Sequence, residues 1–88
     1  MVLYIISYDL REPDRDYTKL YGVLKEFSNW WHYLESTWII KTTDSPDEIF
    51  DKLKSSLDEN DNVLVIEVGK KYQGWLPEKA WDWIKKNE

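Results

Sequence analysis

Apolar positions recur with two different periods along this 88-residue chain, and the switching between them lays out the elements. Val2-Leu3-Tyr4-Ile5-Ile6-Ser7-Tyr8 is a nearly continuous run of β-branched and aromatic residues, which predicts a strand central in its sheet, and Asp9 places a carboxylate at its end. Arg11-Glu12-Pro13-Asp14-Arg15 is a polar turn. Beyond it Tyr17, Leu20, Tyr21, Leu24 and Phe27 fall three or four residues apart, the spacing of one helix face. Asn29 to Lys41 is rich in Trp, Tyr and Ile and predicts a hairpin, with the reversal within Leu34-Glu35-Ser36-Thr37.

Ser45-Pro46-Asp47-Glu48 carries a helix start: a capping hydroxyl, Pro at the first helical position, and a Glu placed to return a bond to the cap. Ile49, Leu53 and Leu57 continue as a buried stripe until Asp58-Glu59-Asn60-Asp61-Asn62 ends the helix. Val63-Leu64-Val65-Ile66-Glu67-Val68 is a second nearly continuous apolar strand. Gly69 to Gly74 reads as a loop, and Trp75-Leu76-Pro77-Glu78 opens a short last helix with Ala80, Trp81 and Ile84 on one side. Trp81 and Trp83 do not share a helix face, so one of them is expected to be exposed or to meet something other than the core.

The order βαββαβ plus a C-terminal helix predicts a single α+β domain over residues 1–88 with the ferredoxin-like arrangement. Right-handed crossovers put the strands in the order 4-1-3-2, each antiparallel to its neighbours, with the two main helices on one face. Asp9 should then lie near Ser36 and Thr37 on one side and Asp61 and Asn62 on the other. The strands are apolar on both faces: Tyr4, Ile6 and Tyr8 oppose Leu3 and Ile5, and Val63 and Val65 oppose Leu64 and Ile66. The face without the main helices needs cover, which a homodimer packed sheet to sheet or the last helix folded across it would supply.

Composition narrows the chemistry. A domain of this size buries only about 60–65% of its unfolded surface, and fourteen aromatics, six of them Trp, compensate for the small core. With no Cys, disulfides and thiolate metal sites are excluded, and a reducing cytoplasm is the expected compartment. No basic segment leads an apolar signal core and no apolar run approaches about 18 residues, so no membrane association is expected. A net charge of -5 argues against broad nucleic-acid binding, which needs clustered Lys and Arg, although a local basic patch is compatible with it.

Asp9 is the first candidate for chemistry. A hard cation such as magnesium or manganese takes oxygen ligands, and one carboxylate per subunit paired across a two-fold axis could hold it with water completing the shell. The structural alternative is that Asp9 caps the following turn. Glu12, Asp14 and Asp16 could add ligands, but acidic residues ahead of a helix commonly serve its dipole. His32, the only imidazole, sits between Trp31 and Tyr33, where packing is the expected role, and nothing places Ser7 or Ser36 within its reach for a nucleophile set. Gly22, Gly69 and Gly74 are too scattered to cradle phosphate. The six Trp residues invite base stacking, yet such platforms come with basic neighbours that are mostly missing here, so packing and association are the expected roles. Lys70-Lys71 and Lys85-Lys86 read as solvated ends.

Tyr8-Asp9 closing the first strand, Trp31-His32-Tyr33-Leu34-Glu35-Ser36-Thr37-Trp38 in the hairpin and Ser45-Pro46-Asp47-Glu48-Ile49 before the second helix resemble the CRISPR-associated protein 2 superfamily. Leu34-Glu35-Ser36-Thr37-Trp38 and Asn60-Asp61-Asn62-Val63-Leu64-Val65-Ile66 resemble its SinR-type branch of short bacterial and phage proteins, the likeness covering roughly residues 2 to 68. The resemblance implies a ferredoxin-like fold, a dimer, and either metal-dependent nuclease activity or a structural role in an integration complex. It makes Asp9 the candidate catalytic and metal-holding residue near the dimer axis and Ser36 a weaker catalytic candidate beside it. Two departures stand against nucleic-acid handling: Lys19 and Lys25 of the first helix stand among Asp16 and Glu26, and Gly69 to Trp83 reads as a helix instead of the strand that classical subunits exchange. The sequence therefore carries two expectations, a dimeric binding or scaffold protein with a protein partner in a defence, antidefence or toxin setting, and a divalent-metal-dependent endonuclease acting on RNA or DNA.

Overall fold

The computed structural model describes residues 2–12 and 16–88; Pro13, Asp14 and Arg15 of the polar turn, and with them the candidate ligand Asp14, lie outside the described residues. The elements run β1 (Val2–Asp9), α1 (Thr18–Lys25), β2 (Asn29–Leu34), β3 (Thr37–Thr42), α2 (Pro46–Lys54), β4 (Asn62–Glu67) and α3 (Glu78–Asn87). The strands form one antiparallel sheet in the order β2-β3-β1-β4, the predicted ferredoxin-like topology. β1 is central as its composition requires, pairing Ile5 with Ile39 on one side and with Ile66 on the other.

Turn chemistry fixes the joints. Ser45 accepts from the Glu48 backbone N–H at 3.2 Å while Glu48 accepts from the Ser45 N–H at 3.0 Å, a complete capping box ahead of Pro46. The β2–β3 hairpin reverses at Glu35 and Ser36. No described residue there or elsewhere has a positive φ, so the turn lacks the primed geometry that matches strand twist most directly, and the ladder shifts register between Trp31 and Leu34.

Two apolar layers flank the sheet. On the inner face Tyr4, Ile6, Tyr8, Trp38 and Ile40 meet Leu20 and Leu24 of α1 and Ile49 and Leu53 of α2, all buried. On the outer face Leu3, Trp31 and Ile39 meet Ala80 and Ile84 of α3. The last helix therefore crosses the outer face of its own sheet, one of the two solutions that the two-sided strands allowed. The expectation for Trp81 and Trp83 is corrected: both are half-buried and packed against the outer cluster. Ala80, Ile84 and Asn87 form the downward line of α3, and at about 100° per residue the two indoles fall on opposite flanks of that line, each covering part of the sheet. Among the described residues no helix is long and apolar enough to cross a membrane.

Candidate functional site

The register places Asp9 opposite Asn62, Ser7 opposite Thr37, and the Tyr8 N–H 3.1 Å from the Ser36 carbonyl it donates to, so the expected neighbourhood forms. Asp9 itself is exposed, its side chain 61% accessible, and its Oδ2 lies 2.7 Å from the Arg11 guanidinium two residues on. A guanidinium at that distance competes with any cation for the carboxylate, although in open water such a pair contributes only about 0–1 kcal/mol. Ser36 is exposed in the hairpin turn. Among the described residues no three of His, Cys, Asp and Glu come together as a metal cage. A divalent ion at Asp9 would thus draw its other ligands from water or from a second subunit, which fits one carboxylate of a shared site and no more.

Asp61, predicted only as a neighbour, is a clasp. Its Oδ1 accepts from the Arg11 backbone N–H at 2.8 Å and from the Tyr17 hydroxyl at 2.7 Å, and its Oδ2 accepts from the Asp58 N–H at 2.8 Å. One side chain thereby ties the segment after β1, the start of α1 and the turn before β4 together. Glu12 joins the same seam, accepting from the Asn60 amide at 2.8 Å. Asp16 accepts from Thr18 at the start of α1, and those hydrogen bonds hold its carboxyl below the usual range. The acidic residues described around Asp9 are thus engaged in joints of the backbone.

The hairpin end is a packed polar network. Trp38 donates its Nε1–H to the Tyr8 hydroxyl at 3.0 Å, and Tyr8 in turn donates to the Glu35 carbonyl at 3.4 Å. Burial pushes the Tyr8 hydroxyl above its ordinary pKa against the lowering effect of the Trp38 bond. His32 stacks on Trp38 with ring centres 4.0 Å apart, its Nε2 lying 3.1 Å from the Glu35 carbonyl. The lone imidazole has the packing role expected for it.

The second candidate lies on the outer face, where the fit of α3 is incomplete. A cavity of about 340 Å³ opens between the sheet and the 72–76 segment, over Leu3, Ile5 and Ile39, with Trp31, Trp81 and Ile84 in its walls. Trp31 is buried and its Nε1 has no hydrogen-bond partner. Beyond the cavity Leu64 and Ile66 on edge strand β4 are 59% and 51% exposed, and Trp75 is fully exposed. The open face was expected from the two-sided strands, but Trp75 was not singled out, because an aromatic residue at the mouth of a helix reads as packing.

The fold and these two sites define a small ferredoxin-like α+β protein with an exposed strand-end carboxylate and an unsealed apolar face. Comparison with known proteins brings no match to a family profile, a curated protein or a solved structure.

Proposed function

We propose that the chain is a dimeric binding or scaffold protein of the CRISPR-associated protein 2-like kind, acting through its apolar surface in a defence, antidefence or toxin setting. The observation that carries this reading is the outer face: Leu64 and Ile66 stand open on an edge strand beside an apolar cavity, a surface suited to association. The acidic net charge and the engagement of Asp9 by Arg11 support binding over phosphodiester chemistry.

One observation favours the alternative, a magnesium- or manganese-dependent endonuclease using Asp9 from both subunits. The Asp9 carboxylate is exposed at a strand end, where a second subunit could bring its counterpart. Titration of either metal into wild type and Asp9→Ala, followed by thermal shift and by incubation with labelled RNA and DNA, separates the two. The binding reading expects a dimer with no metal-dependent cleavage. Cleavage that disappears in Asp9→Asn with an unchanged circular dichroism spectrum would transfer the chain to the nuclease reading.

A further inference from the structure

The outer face carries a projection and a recess side by side. Trp75 stands fully exposed at the rim of the apolar cavity, following Gln73 and Gly74 in the loop that leads into α3. An exposed indole forgoes the burial of about 150–250 Å² of surface, and an open apolar cleft leaves its walls facing water. The recess is large enough for the projection: an apolar void of about 150 Å³ accommodates a benzene, and this one measures about 340 Å³.

We propose that two copies of this chain pair through their outer faces, each placing Trp75 in the cavity of the other. This rests on the dimeric reading above and specifies its contacts. A projection and a recess on one surface satisfy the requirement of a two-fold interface, in which the same patch serves both partners. The available area agrees. With Trp75 whole and Tyr33, Leu34, Leu64, Ile66 and Tyr72 partly exposed, these residues together offer accessible surface of roughly 700 Å². That approaches the ~800 Å² per partner of a stable interface. Turning Trp75 into its own cavity would bury one indole and leave Tyr33, Leu64 and Ile66 in water, whereas a second copy covers all of them.

Sedimentation equilibrium of wild type and Trp75→Ala tests the pairing, and circular dichroism checks the fold, which an exposed side chain does not hold. Wild type is expected to be a dimer that Trp75→Ala weakens by about thirtyfold or more. The chain has no cysteine, so oxidising a mixture of Trp75→Cys and Thr37→Cys reports the contact directly, Thr37 lying in the cavity lining. A disulfide between the two different chains is the expected product. Dimerisation of Trp75→Ala with wild-type affinity would overturn the exchange and leave the dimeric reading standing, whereas a wild type that stays monomeric at every concentration would overturn both. If the mixture does not cross-link but the double variant Trp75→Cys/Thr37→Cys closes a disulfide within one chain, Trp75 fills its own cavity and the exchange is overturned.

Discussion

The two faces of the sheet draw on the same strands and reach different degrees of closure. On the inner face α1 and α2 bring Leu20, Leu24, Ile49 and Leu53 against five buried sheet residues, and these four are among the least exposed side chains of the molecule. On the outer face a single helix covers Leu3, Trp31 and Ile39 but leaves an apolar cavity and the exposed Leu64 and Ile66. A four-stranded sheet is wider than one helix of about 10 Å diameter, so the second face is left with β4 uncovered. The inner face holds the fold together, and the outer face has surface available for association.

The largest test of that division is Trp38→Ala. Trp38 is 1% exposed, packs among Tyr21, Trp30 and His32, and supplies the hydrogen bond to the Tyr8 hydroxyl. Its truncation is expected to cost about 3–5 kcal/mol in urea denaturation, enough to unfold much of so small a domain. Ile84→Ala on the outer face should cost less, about 2–3 kcal/mol, because the helix it anchors borders a cavity and can settle toward the sheet. Equal losses at the two positions would show that the outer face is as well packed as the inner one.

Alkaline pH offers a gentler comparison, because each face carries a tyrosine with a raised pKa and the causes differ. Burial raises Tyr8 on the inner face, whereas the hydrogen bond that the neutral Tyr72 hydroxyl donates to the Glu88 carboxylate raises the water-exposed Tyr72. Folding favours the neutral form of Tyr8. Its contribution is therefore fully present below about pH 10 and is lost as pH rises from there through the higher folded value. Thermal melts between about pH 9 and 11 should show a decline that is shallower in Tyr8→Phe and close to wild type in Tyr72→Phe, where water screens the pair. A slope unchanged by Tyr8→Phe would mean that the hairpin end opens before it titrates.

Much of the inner face was legible in the sequence. The strand order followed from two apolar runs and two helical stripes, and Ser45-Pro46-Asp47-Glu48 set the start of α2 because capping depends on neighbours within four residues. The placement of Asp9 beside Asn62 followed from the same topology. The clasp at Asp61 did not, since its partner Tyr17 is 44 residues away and an Asp after a helix looks like an ordinary helix stop. The outer face was legible as one that needed cover, and the last helix supplies part of that cover, but the residues left open were not. Leu64 and Ile66 have the same apolar pattern as buried strand residues, and only the position of β4 at the edge, outside the reach of α3, leaves them exposed. Trp81 and Trp83 were misread because a helix lying flat on a sheet buries its flanks as well as its central line.

The smallest expected change in stability is also the one most specific to the outer face. Leu64 lies opposite Ser7 on the edge strand, with more than half of its side chain in water. Replacing it by Lys removes little buried area, and the ammonium can stay hydrated at the end of its stem, so the unfolding free energy of the isolated chain should stay within about 0.5 kcal/mol of wild type. Association should respond much more strongly, because a charge brought into an apolar interface must be desolvated, and Lys on an edge strand is a common natural means of blocking strand-to-strand contact. Denaturation at low concentration and sedimentation at high concentration read the two effects separately. A fall of about 2 kcal/mol in the first measurement would mean that Leu64 is already covered within the single chain. In that case the difference between the faces would not extend to β4, and the surface left for a partner would shrink to the cavity and Trp75.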